Sequence, residues 1–195
     1  LAHTLFVLVL VPVYWIEYGP ENFFWASDIA LLLTVVALWT ESAVLASMLA
    51  VAILVPDLAW NIDFFFRLTF GVDALQLPGT QYLFKPESPL LLRGLSLFHV
   101  FVPVLLLWLV YRLGYERRAL IYQTVLAWVV LPATWLLTDP AANINWVHGF
   151  SSEPQSWMPA PLYLVLLMIA FPLVVYLPTH LLLSALFAAP RSARC

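Results

Sequence analysis

The 195-residue chain has little charge and a single cysteine. Only 10% of its residues are charged, against about 25% in soluble domains, and 64% are hydrophobic. A water-exposed surface cannot be built from this composition, so a soluble globular class is excluded. The eight basic residues form no patch, which argues against nucleic acid as a partner. Because Cys195 is the only cysteine, an intramolecular disulfide and a cysteine-based metal site are excluded within these residues.

The chain also lacks the short motifs of established catalytic and nucleotide-binding sites. It contains no HExxH, no GxSxG, no P-loop and no GxGxxG. An intramembrane zinc hydrolase would need several histidines at one depth, and only His99 is well placed, with His148 a second candidate from above. No metal site is therefore predicted, and the sequence leaves any cofactor unknown.

Long hydrophobic runs make up most of the chain. A helix needs about 20 mostly apolar residues to cross a bilayer. Six stretches meet or approach this length, at residues 1–16, 23–40, 43–60, 92–113, 119–138 and 160–187. The first lacks the small-residue cleavage pattern of a signal peptide and is interpreted as a retained span. The predicted fold is all-α, a single domain over 1–195 that forms a polytopic six-helix transmembrane bundle.

Fifteen prolines argue against straight spans. A proline inside a helix removes one N–H and leaves the carbonyl four residues earlier without its helical partner. For Pro103 that carbonyl belongs to His99. The spans are therefore predicted to be kinked by proline. After span three, the segment NIDFFFRLTFG predicts a short interfacial helix at the outer surface.

The placement of Lys and Arg predicts the orientation. One side of the membrane receives five of them and the other three, namely Arg112, Arg117, Arg118, Arg191 and Arg194 against Arg67, Lys85 and Arg93. The more basic side of a multi-pass protein faces the cytoplasm. Both termini are therefore predicted to be cytoplasmic, in a bacterial inner (cytoplasmic) membrane.

Three ionisable residues lie inside apolar segments of consecutive spans and are the candidate catalytic residues: Asp28, Asp57 and His99. An ionisable group in a span costs about 2.5–3.5 kcal/mol on insertion scales, so it persists where it faces a polar partner, a cavity or a ligand. Asp28 is predicted about six residues, or roughly 9 Å, below the outer end of span two. Similar depths predict that all three meet in one pocket in the outer half of the membrane.

Further residues near the same surface are predicted to line this pocket and bind a ligand. Asn61 shares a helix face with Asp57 at spacing i, i+4. The others are Trp60, Asn143, Asn145 and His148, the last three from an outer loop that would roof the pocket. A carboxylate–histidine cluster suits metal binding, or proton transfer with His as base and Asp as its orienter.

The same residues also have a purely structural interpretation. Asp57 would then cap a helix end, Asp28 would bond to a serine or threonine of span three, and His99 would join two helices by a hydrogen bond. Asn145 and His148 would shape their loop.

A series of short landmarks runs in order over residues 54–165: Pro56-Asp57-Leu58, Phe98-His99 with Pro103, Gly114-Tyr115, Asn143-Ile144-Asn145-Trp146 and Pro161-Leu162-Tyr163. This order resembles the YwaF-like family of integral membrane proteins, which includes animal relatives. The resemblance implies a compact helical bundle with a polar site, and it links an animal branch to phospholipid acyl transfer. That chemistry would need a nucleophile such as a thiol within the bundle. No cysteine precedes Cys195, so this mechanism does not carry over.

Over its whole length the chain also resembles uncharacterised bacterial membrane-associated proteins, a resemblance that implies a topology and no activity. The predicted function is an outward-facing polar pocket that binds a lipid or small amphiphile, with membrane lipids as partners. Two alternatives stay open. One is an accessory or structural subunit of a larger membrane complex, and the other is a lipid-modifying enzyme using His99 with Asp57 or Asp28. A transporter is disfavoured, because no repeated half and no paired broken helices are seen.

Overall fold

A computed structural model describes residues 1–73, 75, 79–150 and 154–187. These residues are mainly helical and contain no strand. Within them, four helical stretches are long and apolar enough to cross a membrane: Ala43–Phe70, Leu90–Leu113, Ala119–Leu137 and Ala160–Leu186. Two shorter apolar helices precede them, Ala2–Tyr18 and Ala26–Thr40. The predicted all-α class and its membrane-embedded character are confirmed.

The α-helices run in the order α1 (Ala2–Tyr18), α2 (Ala26–Thr40), α3 (Ala43–Phe70), α4 (Leu90–Ser96), α5 (Phe98–Leu113), α6 (Ala119–Leu137), α7 (Ala160–Ala170) and α8 (Leu177–Leu186). Short 3-10 turns lie at Pro20–Phe24, Gln81–Phe84 and Ile144–Trp146. A π-helical segment, Phe171–Tyr176, joins α7 to α8.

Helix α3 is the centre of the bundle. Half of its most apolar 18-residue stretch is buried, compared with a third or less of the corresponding stretch in each of the other three long helical stretches. It packs mainly against α5, α2 and α6. The small residues Ala46 and Ala50 are fully buried on it, which lets neighbouring helix backbones approach closely. Side chains on α3 therefore have the best access to partners from other helices.

The helix ends follow local sequence signals. The Ser42 hydroxyl accepts a hydrogen bond from Leu45 N–H at 3.2 Å and caps the start of α3. Gly71 and Gly114 end α3 and α5 with φ values of +102° and +84°, which L side chains rarely adopt. The two-residue turn at Glu41 and Ser42 makes α2 and α3 antiparallel neighbours.

The connections divide the bundle into two ends. The loop-rich end comprises the connections at 19–25, 71–89 and 138–159, and the short-loop end comprises those at 41–42 and 114–118. At the short-loop end, the Tyr115 hydroxyl and His180 Nδ1 are hydrogen-bonded at 2.7 Å. Burial raises the pKa of Tyr115 to about 12. This bond ties α8 to the connection between α5 and α6.

Two predicted boundaries differ from the structure. The predicted separation of a span at 43–60 from an interfacial helix after it is wrong, because α3 continues unbroken to Phe70. No glycine or proline interrupts the chain between Asp57 and Phe70, and Asp63 and Arg67 form a supporting pair at spacing i, i+4. Span two begins at Ala26 rather than 23, since Pro20–Phe24 forms a separate turn.

Helical structure continues through the prolines at positions 12, 56, 103 and 132. Pro172 lies in the π-helical segment and deprives the Met168 carbonyl of its helical donor. The Trp128 indole on α6 donates to that carbonyl at 2.9 Å. A neighbouring helix thus satisfies the backbone group that the proline left free. Three residues used to predict orientation and cysteine chemistry, Arg191, Arg194 and Cys195, lie outside the described part of the chain.

Candidate functional site

A direct hydrogen bond joins two of the predicted site residues. His99, in the first turn of α5, and Asp57, in the middle of α3, meet with Nδ1 and Oδ1 3.0 Å apart. The carboxylate side chain is 3% exposed and the imidazole 14%. Asp57 is not at a helix end, so the interpretation of this residue as a helix cap is wrong. The chain has built a buried histidine–aspartate pair at the contact of two apolar helices.

The imidazole ring is held on both faces. Trp60 stacks on His99 with ring centroids 4.7 Å apart and planes 22° apart, and Phe98 stacks on it at 4.1 Å and 26°. The Asp57 bond fixes the ring's rotation about this stack. Within the described chain, no residue forms a hydrogen bond with His99 Nε2. This nitrogen is also not fully buried. The pair therefore fixes one ring nitrogen and leaves the other available to a ligand.

Asn61 forms hydrogen bonds with the backbone of both residues of the pair. Its side-chain amide donates to the Asp57 carbonyl and to the His99 carbonyl, both at 2.7 Å. The His99 carbonyl is the one that Pro103 leaves without a helical donor. Asn61 thus uses both amide hydrogens to join α3 to α5 at the site. Its predicted role as a ligand contact depends on the remaining amide oxygen.

Asp28 lies in the first turn of α2, not six residues inside it, because the helix starts at Ala26. Its Oδ2 accepts a hydrogen bond from the Asn22 side chain at 3.4 Å. Asp28 and Asp57 lie within electrostatic range of each other, but no hydrogen bond joins them. The expected bond from Asp28 to a serine or threonine of span three does not occur. Asp28 therefore borders the histidine–aspartate pair without belonging to it.

A second polar group lies within electrostatic range of Asp28. The Tyr14 and Ser96 hydroxyls are hydrogen-bonded at 2.9 Å, and Ser96 also donates to the Leu92 carbonyl. Tyr82, in the connection before α4, interacts with the Ser96 hydroxyl. Burial raises the pKa of the Tyr82 phenol above its ordinary value, so this group stays neutral near pH 7. At the loop-rich end this group therefore joins α1 to α4 and to the connection before α4.

Asn145 has a structural role at the same end. It is 4% exposed, and its Oδ1 accepts from the Ala26 N–H at 2.9 Å. Its Nδ2 donates to the Phe24 carbonyl at 2.7 Å. Asn145 thus serves as the cap of α2 from 119 residues away in sequence. Its left-handed backbone, φ +54°, is one that asparagine tolerates better than most residues.

Asn143 and His148 hold the shape of the 138–159 connection. Asn143 accepts from His148 N–H at 2.9 Å and donates to the Gly149 carbonyl at 2.7 Å. The His148 ring stacks on Trp135 at 6.4 Å, and burial lowers the pKa of His148, opposed by the nearby Asp139. The contacts of Asn143 and Asn145 are those of loop-shaping residues. Among the described residues, the hydrogen bonds of Asn145 go to Ala26, Phe24 and Thr134.

A buried ion pair that was not among the predicted site residues lies two turns beyond Asp57 on α3. Arg67 Nε donates to Asp63 Oδ2 at 2.8 Å, with side-chain exposures of 6% and 0%. Thr80 also donates to Asp63, and Arg67 donates to the Val72 carbonyl. The i, i+4 spacing of Asp63 and Arg67 was the available signal. These contacts attach the 71–89 connection to α3.

A small internal cavity and a surface groove lie among the described residues. A cavity of about 30 Å³ lies between α2, α3, α6 and the π-helical segment, with Gln123 and Tyr176 on its wall. That volume holds one or two waters at about 10–15 Å³ each and no larger ligand. A shallow, open groove lies on the surface of α3, and the residues that line it all belong to this helix: Leu58, Asn61, Ile62, Phe65, Phe66, Thr69 and Phe70. Asn61 belongs both to this groove and to the histidine–aspartate pair.

Among the described residues, no group of three or more His, Cys, Asp or Glu side chains is arranged to hold a metal ion. Comparison of the chain with models of protein families, with curated protein sequences and with solved structures gave no match. The site must therefore be interpreted from its own chemistry.

Proposed function

We propose that this chain is a multi-pass membrane protein that binds a lipid or another small amphiphile at the His99–Asp57 pair. The observation that carries the proposal is the fixed pair with an available Nε2, beside an apolar groove that shares Asn61 with it. The groove accepts an apolar tail, and the histidine nitrogen exchanges a hydrogen bond with a polar head. Ligand sites of this kind combine apolar walls with a few oriented polar groups.

The site would lie in the outer half of a six-span bundle in a bacterial inner membrane. In this proposal α1 and α2 are also spans, both termini are cytoplasmic, and the loop-rich end faces outward. The basic residues Arg112, Arg117 and Arg118 near the short-loop end support this orientation. We also propose that the chain is related to the YwaF-like family. Two of the residues that carry this resemblance, Asp57 and His99, are in contact.

The topology predicts labelling from opposite sides. Single cysteines introduced at Gln81 and at Arg117, in a Cys195→Ser background, should react with a membrane-impermeant thiol reagent on opposite faces of sealed vesicles. Both residues are exposed, one in each set of connections. The measurement is labelling before and after permeabilisation. Labelling of both positions from the same face contradicts the orientation.

Retention of a bound amphiphile tests the function. His99→Phe keeps an aromatic ring between Trp60 and Phe98 but removes both ring nitrogens. Amphiphile retained by the protein after extraction into polymer-bounded membrane discs, measured by mass spectrometry, should fall about 10–100-fold. This corresponds to a lost charge-assisted hydrogen bond of about 1.5–3 kcal/mol. Asp57→Asn should produce a smaller loss, because the amide keeps the shape while the carboxylate charge is gone.

The matched control is His180→Phe, which removes a histidine hydrogen-bonded to Tyr115 at the opposite end. It should leave the retained amphiphile unchanged. If wild type and His99→Phe retain the same amphiphiles at equal folded yield, the pocket is not the binding site. The accessory-subunit interpretation would then account better for the protein.

A second candidate function is a lipid-modifying enzyme. The orientation of His99 by a buried carboxylate through Nδ1 favours it, since a general base needs its second nitrogen free and its ring fixed. Release of fatty acid or headgroup from vesicles of native membrane lipid would be the readout. An enzyme should lose about 10²–10⁴-fold turnover in His99→Phe. A protein that only binds should show no turnover in the wild type.

A further inference from the structure

A buried amide oxygen on α6 has no hydrogen-bond partner. Gln123 is 4% exposed, and its Oε1 accepts no hydrogen bond from the described residues. An amide oxygen that leaves water without a replacement bond raises the free energy of the folded state. Where no protein group reaches such an atom, a bound water usually satisfies it. The Gln123 oxygen therefore indicates a donor that the described chain does not supply.

The cavity beside Gln123 has room for that donor. It lies between α2, α3, α6 and the π-helical segment, and its volume of about 30 Å³ fits one or two waters at about 10–15 Å³ each. Its wall is mostly apolar, but it also carries Gln123, Tyr176 and Asn145. Cavities that stay dry are lined by apolar groups. Size and polarity together therefore match water and exclude an acyl chain or a lipid headgroup.

The second polar group at this site comes from the π-helical segment. Tyr176 is 3% exposed, and its hydroxyl interacts with the Gln123 side chain. A hydroxyl both donates and accepts, so it completes the two or more bonds that a buried water needs. Phe171 and Tyr176, the first and last residues of the π-helical segment, both line the cavity. Widened helical turns of this kind are frequent at functional sites.

We propose that this cavity is an internal water site, in which a bound water donates to Gln123 Oε1 and is hydrogen-bonded to the Tyr176 hydroxyl. The water links α6 to the π-helical segment and so holds that segment in its widened form. Neither His99 nor Asp57 is among the described residues that line the cavity. The water site therefore goes beyond the proposed amphiphile site and does not depend on it.

Hydroxyl-radical footprinting tests for the bound water. Radicals generated from water by a short X-ray pulse oxidise the side chains beside that water, including those inside a bundle. Tyr176 and Tyr163 form a matched pair, because both are 3% exposed and Tyr163 is not on the cavity wall. In the full chain in membrane discs, the oxidation rate of Tyr176, measured by mass spectrometry, should be at least about threefold that of Tyr163. This comparison uses the wild type alone and does not depend on any variant folding.

Two variants remove the water by different means. Gln123→Leu removes the amide acceptor with little change in size, whereas Ala127→Val fills part of the cavity and keeps Gln123. Each should lower the oxidation rate of Tyr176 to that of Tyr163 and leave the Tyr163 rate unchanged. Val125→Leu is the control, because Val125 lies on α6 with 53% exposure and is not on the cavity wall. It should leave both rates unchanged.

Equal oxidation rates for Tyr176 and Tyr163 in the wild type overturn the inference. They would indicate a dry cavity in which the Gln123 and Tyr176 side chains bond directly to each other. A Tyr176 rate that stays at the wild-type value in either folded variant also overturns it, because the oxidising water would then be held elsewhere. Rates are compared at equal folded fraction, so that unfolding is not counted as a change in hydration.

Discussion

Replacement of Asp63 by alanine should lower the free energy of unfolding by about 3–5 kcal/mol. The variant leaves the guanidinium of Arg67, which is 6% exposed, without its carboxylate inside the bundle. It also removes the acceptor for the Thr80 hydroxyl, which attaches the 71–89 connection to α3. The measurement is equilibrium unfolding by titration with sodium dodecyl sulfate in mixed micelles.

Most of that loss should come from the unpaired arginine rather than from the ion pair itself. The double variant Asp63→Leu, Arg67→Met replaces both charges by apolar groups and should recover a large part of the stability, because buried ion pairs often exchange for apolar residues at little net cost. Arg118→Ala is the control. It removes an exposed ion pair with Glu116, and exposed pairs contribute little, so stability should not change.

A loss in the Asp63→Ala variant no larger than that in the Arg118→Ala control would show that the Asp63 carboxylate does not stabilise the bundle. A double variant that is less stable than Asp63→Ala would assign the stabilisation to the attraction between the two charges instead of to the cost of an unpaired arginine.

Replacement of Asn145 by alanine should have the second large effect on stability. It leaves the Ala26 N–H and the Phe24 carbonyl without their side-chain partners, at about 1–3 kcal/mol for each group that stays buried. It also places an alanine at φ +54°, a left-handed conformation that costs about 1–2 kcal/mol for a residue with a Cβ. The expected total is about 3–5 kcal/mol.

Two further variants separate these contributions. Asn145→Gly relieves the backbone strain but loses the same bonds, so it should be about 1 kcal/mol more stable than Asn145→Ala. Asn145→Asp keeps the acceptor for Ala26 N–H and should retain part of the capping. Equal stability of the alanine and glycine variants would show that strain contributes nothing. Wild-type stability in all three would show that Asn145 does not hold α2.

Both predictions also bear on the site. Asp63 lies two turns beyond Asp57 on the same helix, and Asn145 fixes the start of α2, where Asp28 lies. Displacement of either element would move Asp57 or Asp28. The amphiphile retained by each variant should therefore be compared at equal folded fraction, so that lost stability is not counted as lost binding.

Sequence reasoning placed Asp57 and His99 together correctly because intramembrane ionisable residues are expensive. The cost of burying each of them unpaired was sufficient reason to expect a contact, and they are bonded. The carbonyl that Pro103 leaves free was also predictable, since the effect of proline is local. That Asn61 satisfies this carbonyl was not, because the spacing of Asn61 to His99 is a matter of how α3 packs on α5.

The predictions that differ from the structure concern polar residues whose surroundings the sequence does not show. The break expected after residue 60 assumed that α3 would stop at the membrane surface, but Asp63 and Arg67 neutralise one another on a buried face and the helix continues. Asn143 and Asn145 are predicted to contact a ligand because they are polar residues at an aqueous boundary. Polar composition does not distinguish a residue that meets a ligand from one that caps a distant helix, as Asn145 does for α2.

Taken by itself, the sequence determined the membrane-embedded helical class and the backbone groups freed by proline. These depend on composition and on interactions within a few residues, which are fixed before the helices meet. The partners of each polar side chain were decided only by tertiary structure: Asp57 with His99, Asn61 with two carbonyls, Asn145 with α2 and Asp63 with Arg67 and Thr80. Apart from the Asp63–Arg67 pair and the bond from Asn61 to the Asp57 carbonyl, these contacts join separate elements. A buried hydrogen bond needs its two atoms placed within about 0.5 Å, which helix packing alone provides for such contacts.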